Sequence, residues 1–564
     1  MNFRKITLIG LCLLASQSCK NILEEEVVTG ITANYYNTPA GIEDGVKAAY
    51  EPLRSWYARE RGFTLTTFGT DEFTKGADGD FKPINDYIPA MNTSPSDAVF
   101  RESWNFFYQA INTANTVIDR AREVQGMAED RKATRVAEAK FLRAHYYFLL
   151  VQMFGPIHLT LNETKEVQTT ANRTPVLEVY EAIIRDLEEA DAALPATRLT
   201  GSDYGRAYKG AAQHMLAKVH LTRATVEGNP DPNGDYQKAA EYAKKVLPAP
   251  IGTGTYGLSL VPTFAAVFDQ DNQETSEVVW SVQYTNDPLS NFNPIGNQAG
   301  GGFNNGNNAH LFFLMEYDAG HKGTRRDIVN GRPWKRFKPT QYTLNLFDLT
   351  RDSRYNASFK QVFLANNPAN LAPGMKIGDT AIYLPTFEMP AEVVATKNYR
   401  VINPSEVANP ANLRYFPSLS KFLDPRRISI QDERGSRDFI VARLAETYLL
   451  LAEASFRLGN VGEAVDAINV VRRRAALPGK EAEMEITASQ LTLDFILDER
   501  SRELLGEMHR WFDLKRTNTL LDRVKKYNPD AAPNIQPHHV LRPIPADQLD
   551  RVTNKDEFKQ NIGY

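Results

Sequence analysis

The sequence is short of the residues that would indicate a disulfide scaffold, a zinc site or a nucleic-acid-binding surface. It contains two cysteines in 564 residues, Cys12 and Cys19, which are too few for a disulfide framework or a cysteine-ligated zinc ion. Its 65 basic and 69 acidic residues give a formal charge of −4, so there is no basic excess to bind nucleic acid. We therefore expect no nucleic-acid partner, no metal and no cofactor.

A hydrophobic stretch long enough to cross a membrane is also missing from the N-terminus. The apolar run from Ile6 to Ala15 is only about half of the ~20 residues that a transmembrane helix needs. It follows two basic residues, Arg4 and Lys5, and this order is typical of a secretory signal peptide. We therefore predict a cleaved signal peptide over residues 1–18.

Cys19 follows directly after this segment and ends a sequence, LASQSC, that resembles a bacterial lipobox. Cleavage before Cys19 removes Cys12 and leaves one cysteine at the new N-terminus, where lipidation explains it better than a disulfide does. We predict that Cys19 carries acyl chains, palmitate among them, which hold the protein on a membrane. A plain cleaved signal peptide with an incidental cysteine is the alternative.

Most of the remaining chain is patterned as pairs of amphipathic helices. The pattern is clearest over 443–476, where apolar residues recur at three-to-four spacing on both sides of a Gly459-Asn460 turn. A helical hairpin with a single apolar face needs similar neighbours in order to bury that face. Further helices are predicted over 37–54, 98–121, 133–154, 176–194, 208–224, 236–247 and 492–516. Together they predict a mainly α-helical fold with four hairpins of about tetratricopeptide size.

Two segments lack long helical patterns, 56–96 and 248–438, and are rich in glycine, asparagine, proline or aromatic residues. Short strand-like runs occur in the second segment, at 277–284 and 381–384. Long loops of this kind are where binding surfaces are usually built. We therefore divide the chain into the signal peptide, an N-terminal helical region over 19–247, a loop-rich insert over 248–438 and a C-terminal region over 439–564.

The aromatic and polar residues of these two segments are the predicted ligand-binding residues. A sugar ring packs its C–H face on a flat aromatic side chain, and its hydroxyl groups need amide, carboxylate or guanidinium partners. Loop packing is the alternative role for each residue. The candidates in the first segment are Trp56, Asp71, Asp80, Phe81 and Tyr87, and those in the second are Asn291, Phe292, Phe303, Asn304, Trp334, Arg336 and Tyr342.

Six features in a fixed order make the chain resemble the SusD/RagB family of outer-membrane nutrient-binding lipoproteins of Bacteroidetes. The resemblance covers nearly the whole chain, with Ile562 standing where the family more often has proline. The six features are the lipobox, Asp71-Glu72-Phe73, the stretch 138–156 ending in Phe154-Gly155-Pro156, the stretch 443–454, the stretch 498–504, and Pro543-Ile544-Pro545 followed by Gln560-Asn561.

The resemblance implies a SusD-like fold, in which four tetratricopeptide-like units support a loop-rich ligand-binding face. It implies a lipid-anchored outer-membrane protein, and Glu24-Glu25-Glu26 resembles the acidic tag of family members exposed at the cell surface. It also implies a role in nutrient uptake, with a SusC-like TonB-dependent outer-membrane transporter as partner. The protein would bind a glycan or oligosaccharide and deliver it to this transporter without altering it.

Three other functions are open at this point. A secreted glycoside hydrolase needs two facing carboxylates, and Glu499 and Glu503 lie one helical turn apart. Basic residues at helical spacing from them, such as Arg502, favour a helix-surface salt-bridge network instead. A peptide-binding member of the same family and a structural lid without ligand affinity are the other two alternatives. We predict no catalytic residue and no enzyme.

Replacing Cys19 with alanine is expected to release the protein from the membrane fraction, because this thiol is the predicted acylation site. The measurement is metabolic labelling with radioactive palmitate, combined with fractionation of the cells. Cys12→Ala is the matched control, since Cys12 lies within the predicted signal peptide and its loss should change neither result. Palmitate labelling that persists in Cys19→Ala would contradict the lipid anchor.

Overall fold

A computed structural model describes residues 33–285, 287 and 306–564, so Cys19 lies outside the described residues. Within them, the helices of seven or more residues are α1 (Pro39–Tyr50), α2 (Glu60–Thr66), α3 (Ala98–Ala121), α4 (Glu129–Phe154), α5 (Val176–Ala193), α6 (Lys209–Arg223), α7 (Pro232–Val246), α8 (Leu444–Arg457), α9 (Val461–Ala475), α10 (Leu493–Leu504), α11 (Arg510–Arg516) and α12 (Leu520–Tyr527). None of the described helices combines the length and the apolar character needed to cross a membrane.

Shorter helical turns and strands occupy the connecting segments. The shorter α-helices are Leu53–Trp56, Lys82–Asp86, Ala309–Phe312, Gln341–Leu344, Arg354–Ser358, Ala391–Val394, Pro404–Ala408, Glu481–Met484 and Ala546–Arg551. The 3-10 helices are Ala33–Asn37, Pro89–Asn92, Gly201–Asp203, Ala265–Phe268, Pro368–Asn370, Ala488–Gln490 and Pro537–Val540. The strands are β1 (Phe73–Lys75), β2 (Val278–Val282), β3 (Phe337–Pro339), β4 (Phe359–Lys360), β5 (Val362–Leu364), β6 (Thr380–Tyr383), β7 (Arg400–Val401), β8 (Ser418–Leu419) and β9 (Phe439–Arg443).

The ends of the helices follow from local chemistry. α1 begins after Thr38, whose hydroxyl accepts a hydrogen bond from Gly41 N at 3.1 Å, and Pro39 occupies its first position. The hairpin of α8 and α9 turns at Gly459, whose φ of 79° lies in the left-handed region that favours glycine. Ala464 on α9 is fully buried, which lets the two helices approach closely.

The long helices pack as a continuous series. α1 contacts α3 and α4, and from α3 to α9 each labelled helix packs against the next one. α7 therefore lies against both α6 and α8, although the loop-rich insert separates α7 from α8 in the sequence. The prediction of a mainly α-helical fold is confirmed. The grouping of these helices into four tetratricopeptide-like hairpins stays a prediction.

Strands β2 and β9 bring the two ends of the insert together. They pair antiparallel, with Val278 opposite Arg443 and Val282 opposite Phe439. The strand-like runs predicted at 277–284 and 381–384 are present as β2 and β6. β5, β6 and β7 form a small sheet, and β4 pairs with β8. The insert is therefore fastened at its base to the C-terminal region, while the predicted domain boundaries stay a prediction.

The prediction of one helix over 492–516 is wrong. The chain forms α10 and α11 there, with a break between Leu504 and Arg510. Gly506 has a φ of 72° and Met508 a φ of 66°, and a right-handed helix cannot contain either value. The helical spacing continues across the break, so the single glycine was the only sequence signal for it.

Two carboxylates of α10, those of Glu499 and Glu503, are buried, which corrects the prediction of a salt-bridge network on a helix surface. Glu499 and Glu503 each have 0% relative exposure. Glu503 accepts hydrogen bonds from Arg443 at 2.7 Å and from Arg354 at 3.0 Å. The pair of Glu499 with Arg502, at 2.9 Å, does follow the predicted spacing. Burial alone would raise the pKa of the Glu499 carboxyl, but the surrounding arginines outweigh burial and hold that pKa well below its usual range.

Replacing Arg443 with methionine is expected to destabilise the protein by about 3–5 kcal/mol, because buried carboxylates lose their partner. Besides Glu503, Arg443 pairs with Glu277 and Glu507, at 3.0 and 2.8 Å. Equilibrium unfolding in urea measures the loss.

Arg473→Met is the matched control for this substitution. Arg473 pairs with Glu485 at 2.7 Å, but the two side chains are 46% and 41% exposed. An exposed pair contributes only about 0–1 kcal/mol. If the two variants lose equal stability, the buried network does not contribute more to the free energy of unfolding than an exposed ion pair does.

Candidate functional site

A short antiparallel ladder joins the two loop-rich segments. β1 pairs with β3, so that Lys75 lies opposite Phe337. The pairing continues beyond the strands, because Gly76 N donates to the carbonyl of Arg336 at 2.9 Å. Residues far apart in the sequence therefore meet, and the ladder places the loop 76–82 beside the loop 332–336.

These two loops, together with Glu60 at the start of α2, form a partly open surface, which we name the Trp334 ledge. Its residues are Glu60, Gly79, Asp80, Phe81, Trp334 and Arg336. Asp80 is exposed, whereas Phe81, Trp334 and Arg336 are half-buried. The guanidinium carbon of Arg336 lies 5.0 Å from the centroid of the Trp334 ring, and that of Arg332 lies 5.8 Å from it. The ledge therefore combines aromatic surface with cationic and anionic hydrogen-bonding groups.

The Glu60 carboxylate holds Arg336 beside the ring. Arg336 Nε lies 2.9 Å from Glu60 Oε1. Burial raises the pKa of the Glu60 carboxyl, the positive charge of Arg336 opposes this rise, and the negative charge of Asp80 adds to it. Glu60, Asp80 and Arg336 are therefore close enough to act as one electrostatic group.

Gly79 leaves the space that the Arg336 side chain occupies. Its φ of +106° is rarely adopted by other residues, and a Cβ at this position would lie 2.8 Å from Arg336 Cδ. On the other loop, Lys335 pairs with Asp78 at 3.0 Å and with Glu316 at 3.1 Å. Backbone geometry and ion pairs thus hold both loops of the ledge.

Two of the predicted aromatic residues do not reach a surface. Trp56 is 2% exposed and packs edge-to-face against Phe107, with the ring centroids 5.2 Å apart. Tyr87 is also 2% exposed, and its hydroxyl donates to the carbonyl of Gly69 at 3.0 Å. Their prediction as ligand-binding residues is wrong, because this loop segment buries its largest rings in the core.

Asp71 and Tyr342 belong to an internal ion-pair network. Asp71 is fully buried and accepts hydrogen bonds from Arg510 at 2.6 Å and from Arg523 at 2.7 Å. The half-buried Tyr342 donates its hydroxyl proton to Asp498 at 2.7 Å and accepts a hydrogen bond from Arg523 at 2.7 Å. These bonds use both carboxylate oxygens of Asp71, so its predicted ligand-binding role is corrected to a structural one. The predicted role of Tyr342 concerned its ring and stays a prediction.

Four of the predicted residues, Asn291, Phe292, Phe303 and Asn304, lie outside the described residues, and their role stays a prediction. The described chain resumes at Gly306, whose carbonyl accepts a hydrogen bond from Arg59 at 2.8 Å. Arg59 directly precedes Glu60 of the ledge. Asn308 N also donates to the carbonyl of Ala58 at 3.1 Å, so the described residues from Gly306 onward are bonded to the chain directly before Glu60.

Sequence reasoning missed three charged residues that belong to the ledge or its support: Glu60, Arg332 and Lys335. Glu60 opens α2, and Arg332 pairs with Glu433 at 2.6 Å. No local pattern singled them out, since isolated charges in helices and loops are common on any surface. The glycines at 76 and 79 were the available signal, because they indicate a close approach of another backbone or side chain.

The fold and the ledge together define the class of protein, a helical frame that presents a partly open, irregular surface. In the part of the chain that the structure describes, no three His, Cys, Asp or Glu side chains are grouped so that they could hold a metal ion. Glu60 and Arg336 of the ledge are paired with each other.

Comparison with known protein families identifies the family to which the helical frame belongs. A model of the SusD family matches residues 265–564. A second model, described as starch-binding and associating with the outer membrane, matches residues 65–221. The chain therefore belongs to the SusD family, and the resemblance based on the six sequence features is confirmed.

Relatives and solved structures agree with this assignment. A SusD-like protein of Formosa agariphila is 26% identical over 579 residues, with 99% of each chain covered. The starch-binding protein SusD of Bacteroides thetaiotaomicron is 26% identical over 541 residues, covering 90% of this chain and 86% of that protein. A laminarin-binding SusD-like protein of known structure matches 93% of this chain and 100% of its own, with a TM-score of 0.71 at 23% identity. At this identity the structural match shows a shared fold.

Asp71→Asn is expected to destabilise the protein by about 3 kcal/mol or more at neutral pH, because two buried arginines each lose one charged partner. Asp80→Asn is the matched control, since it makes the same change at an exposed residue nearby and should cost within about 0.5 kcal/mol. Urea unfolding compares the two variants. Equal effects would argue against a structural role for Asp71.

The effect of Asp71→Asn is also expected to depend on pH. Burial would raise the pKa of the Asp71 carboxyl, but Arg510 and Arg523 outweigh burial and lower it below its ordinary value of 3.8. A carboxyl with a lowered folded-state pKa stabilises fully above its unfolded pKa, and its contribution is lost as the pH falls through the folded value. The stability difference from wild type should thus be constant near neutral pH and shrink below about pH 4. A difference that persists undiminished in strong acid would contradict this explanation.

Proposed function

We propose that the protein binds a glycan or its oligosaccharides at the Trp334 ledge and leaves the ligand unaltered. The observation that carries this proposal is the half-buried Trp334 ring with the Arg336 guanidinium beside it. Asp80 and Phe81 extend the same surface from the facing loop. The β1–β3 ladder joins both loops, so the ledge does not need to be assembled by the ligand.

The residue types of the ledge match the two faces of a sugar. A pyranose ring presents C–H bonds on one face, and these pack against the rings of Trp334 and Phe81. Its hydroxyl groups donate to the Asp80 carboxylate and accept from the Arg336 guanidinium, which are strong charge-assisted hydrogen bonds. An open ledge also admits the middle of a long chain, whereas a closed pocket admits only its end.

The names of relatives support a carbohydrate ligand. Matching proteins are named for binding starch and laminarin, and a surface glycan-binding protein A from Bacteroides fluxus matches with a TM-score of 0.67 at 19% identity, covering 93% of this chain and 99% of that chain. The ligands differ among these proteins. They support the class of ligand for this chain and do not select one glycan.

The placement of the carboxylates supports binding without hydrolysis. Glu499 and Glu503, the pair that a hydrolase reading would use, are fully buried. Each is bonded to arginines, Arg354 being shared by both. A glycosidase needs one carboxyl that reaches the glycosidic oxygen and holds a proton near working pH. The pKa of both carboxyls is lowered, so neither holds a proton near neutral pH as a general acid must.

We further propose that Cys19 anchors the protein in the outer membrane, exposed at the cell surface, and that a SusC-like TonB-dependent transporter receives the ligand. The N-terminal sequence supports the anchor, and the family description names association with the outer membrane. A lipid tether keeps a binding protein close to its partner and so raises their effective concentration.

Trp334→Ala is expected to weaken glycan binding by about 2 kcal/mol, roughly thirtyfold, because the sugar loses its flat aromatic contact. Affinity electrophoresis in gels containing plant, host and microbial glycans measures binding as retardation. Phe387→Ala is the matched control, since Phe387 is an aromatic residue that is 57% exposed and lies outside the ledge.

The same gels separate the alternatives. Retardation that Trp334→Ala does not reduce would place the binding site elsewhere. Degradation of the embedded glycan would indicate a hydrolase. Retention of an extended peptide, with no glycan retarding the protein, would indicate a peptide-binding member of the family, and no retention of either would indicate a structural lid.

A further inference from the structure

A second cavity, of about 300 Å³, lies between α1, the loop 204–206 and β2, and shares no lining residue with the Trp334 ledge. This volume is at the lower end of the range for ligand sites and suits a small molecule or one unit of a larger one. The polar and aromatic side chains that matter for its chemistry are Lys47, Tyr50, Arg54, Tyr204, Arg206 and Gln283.

Three basic side chains line this cavity, and two of them have acidic partners. Lys47 pairs with Asp44 at 3.0 Å, and Arg206 pairs with Glu138 at 3.1 Å. Neither of these acids lines the cavity. Both partners therefore orient a cation while leaving the space in front of it to a ligand. One acidic residue, Glu51, does line the cavity, so basic groups outnumber acidic ones on its wall.

The remaining wall is aromatic and rigid. The guanidinium carbon of Arg206 lies 5.9 Å from the centroid of the Tyr50 ring. Arg54 Nε donates to the carbonyl of Gln283 at 2.9 Å, which joins the short helix Leu53–Trp56 to the residue that follows β2. A Cβ on Gly205 would lie 1.7 Å from Gln283 Oε1, so only glycine lets the Gln283 side chain lie against this loop.

We propose that this cavity binds a single sugar unit that carries a carboxylate, as a hexuronate does. The carboxylate lies against the Lys47 ammonium and the Arg206 guanidinium, which prefer an anion to a neutral hydroxyl group. The C–H face of the ring packs on Tyr50, and Gln283 is a hydrogen-bond partner for the hydroxyl groups. The cavity thus gives the protein a charge-selective site that is separate from the aromatic ledge.

The test compares the binding of glucuronate, glucose and acetate to the purified protein by titration calorimetry at low ionic strength. Lys47→Glu is expected to weaken glucuronate binding about fivefold or more, because a cation at the rim becomes an anion. Lys238→Glu is the matched control: both lysines lie on helix surfaces with an acidic partner three residues away, and their side chains are 63% and 52% exposed. Both variants change the net charge equally, so only a local effect separates them.

Each outcome decides the proposal. Glucuronate binding that exceeds glucose and acetate binding, falls in Lys47→Glu and is unchanged in Lys238→Glu supports it. Equal binding of glucose overturns the preference for an anion, and equal binding of acetate overturns the sugar unit. Trp334→Ala should leave glucuronate binding unchanged; if it abolishes that binding, the ligand occupies the ledge and the cavity is not the site. If glycan binding at the ledge fails, the glucuronate experiment still tests the cavity, because the two sites share no lining residue.

Discussion

Ion pairs buried between segments distant in the sequence are the interaction on which the rest of the structure depends. Asp71, just before β1, is bonded to Arg510 of α11 and Arg523 of α12. Arg443, at the end of β9, is bonded to Glu503 of α10. Each of these charges loses its water on burial, and the loss is offset only when every partner is in position. The network therefore couples the position of the loop-rich segments to that of the C-terminal helices.

The β1–β3 ladder depends on this coupling, and it supports the two loops that form the Trp334 ledge. A two-stranded ribbon with three residues in each strand is not stable by itself in water. Here it is held because Phe73 and Phe337 are buried, and the ring of Phe313 packs against both, at 5.1 and 5.2 Å between centroids. The loops that leave the ribbon keep fixed backbones while Trp334 and Arg336 stay partly open. A surface prepared in this way loses little conformational entropy on binding a ligand.

The ledge and the cationic cavity differ in what they can recognise. The ledge is built on an aromatic ring, and its charged groups, such as Glu60 and Arg336, are paired with each other. The cavity presents Lys47 and Arg206, whose acidic partners do not line it. An aromatic surface accepts many sugars, because most pyranose rings offer a C–H face, whereas a cationic pocket selects by charge. As proposed, two such sites on one frame would combine tolerance of a glycan backbone with selection of one kind of unit.

By itself, the sequence indicated most of the long helices and the family, while its prediction of a leader over residues 1–18 stays a prediction. A helix packed on one side must repeat its apolar residues every three to four positions, so burial is visible in local spacing. Irregular segments carry no such period, and for this reason Trp56 and Trp334 looked alike in the sequence although one is in the core and the other on the ledge. The same limit applied to Glu499, whose arginine partners come mostly from other segments. Only the tertiary structure decided which loops meet and which charges are buried, because those contacts join residues that the sequence keeps far apart.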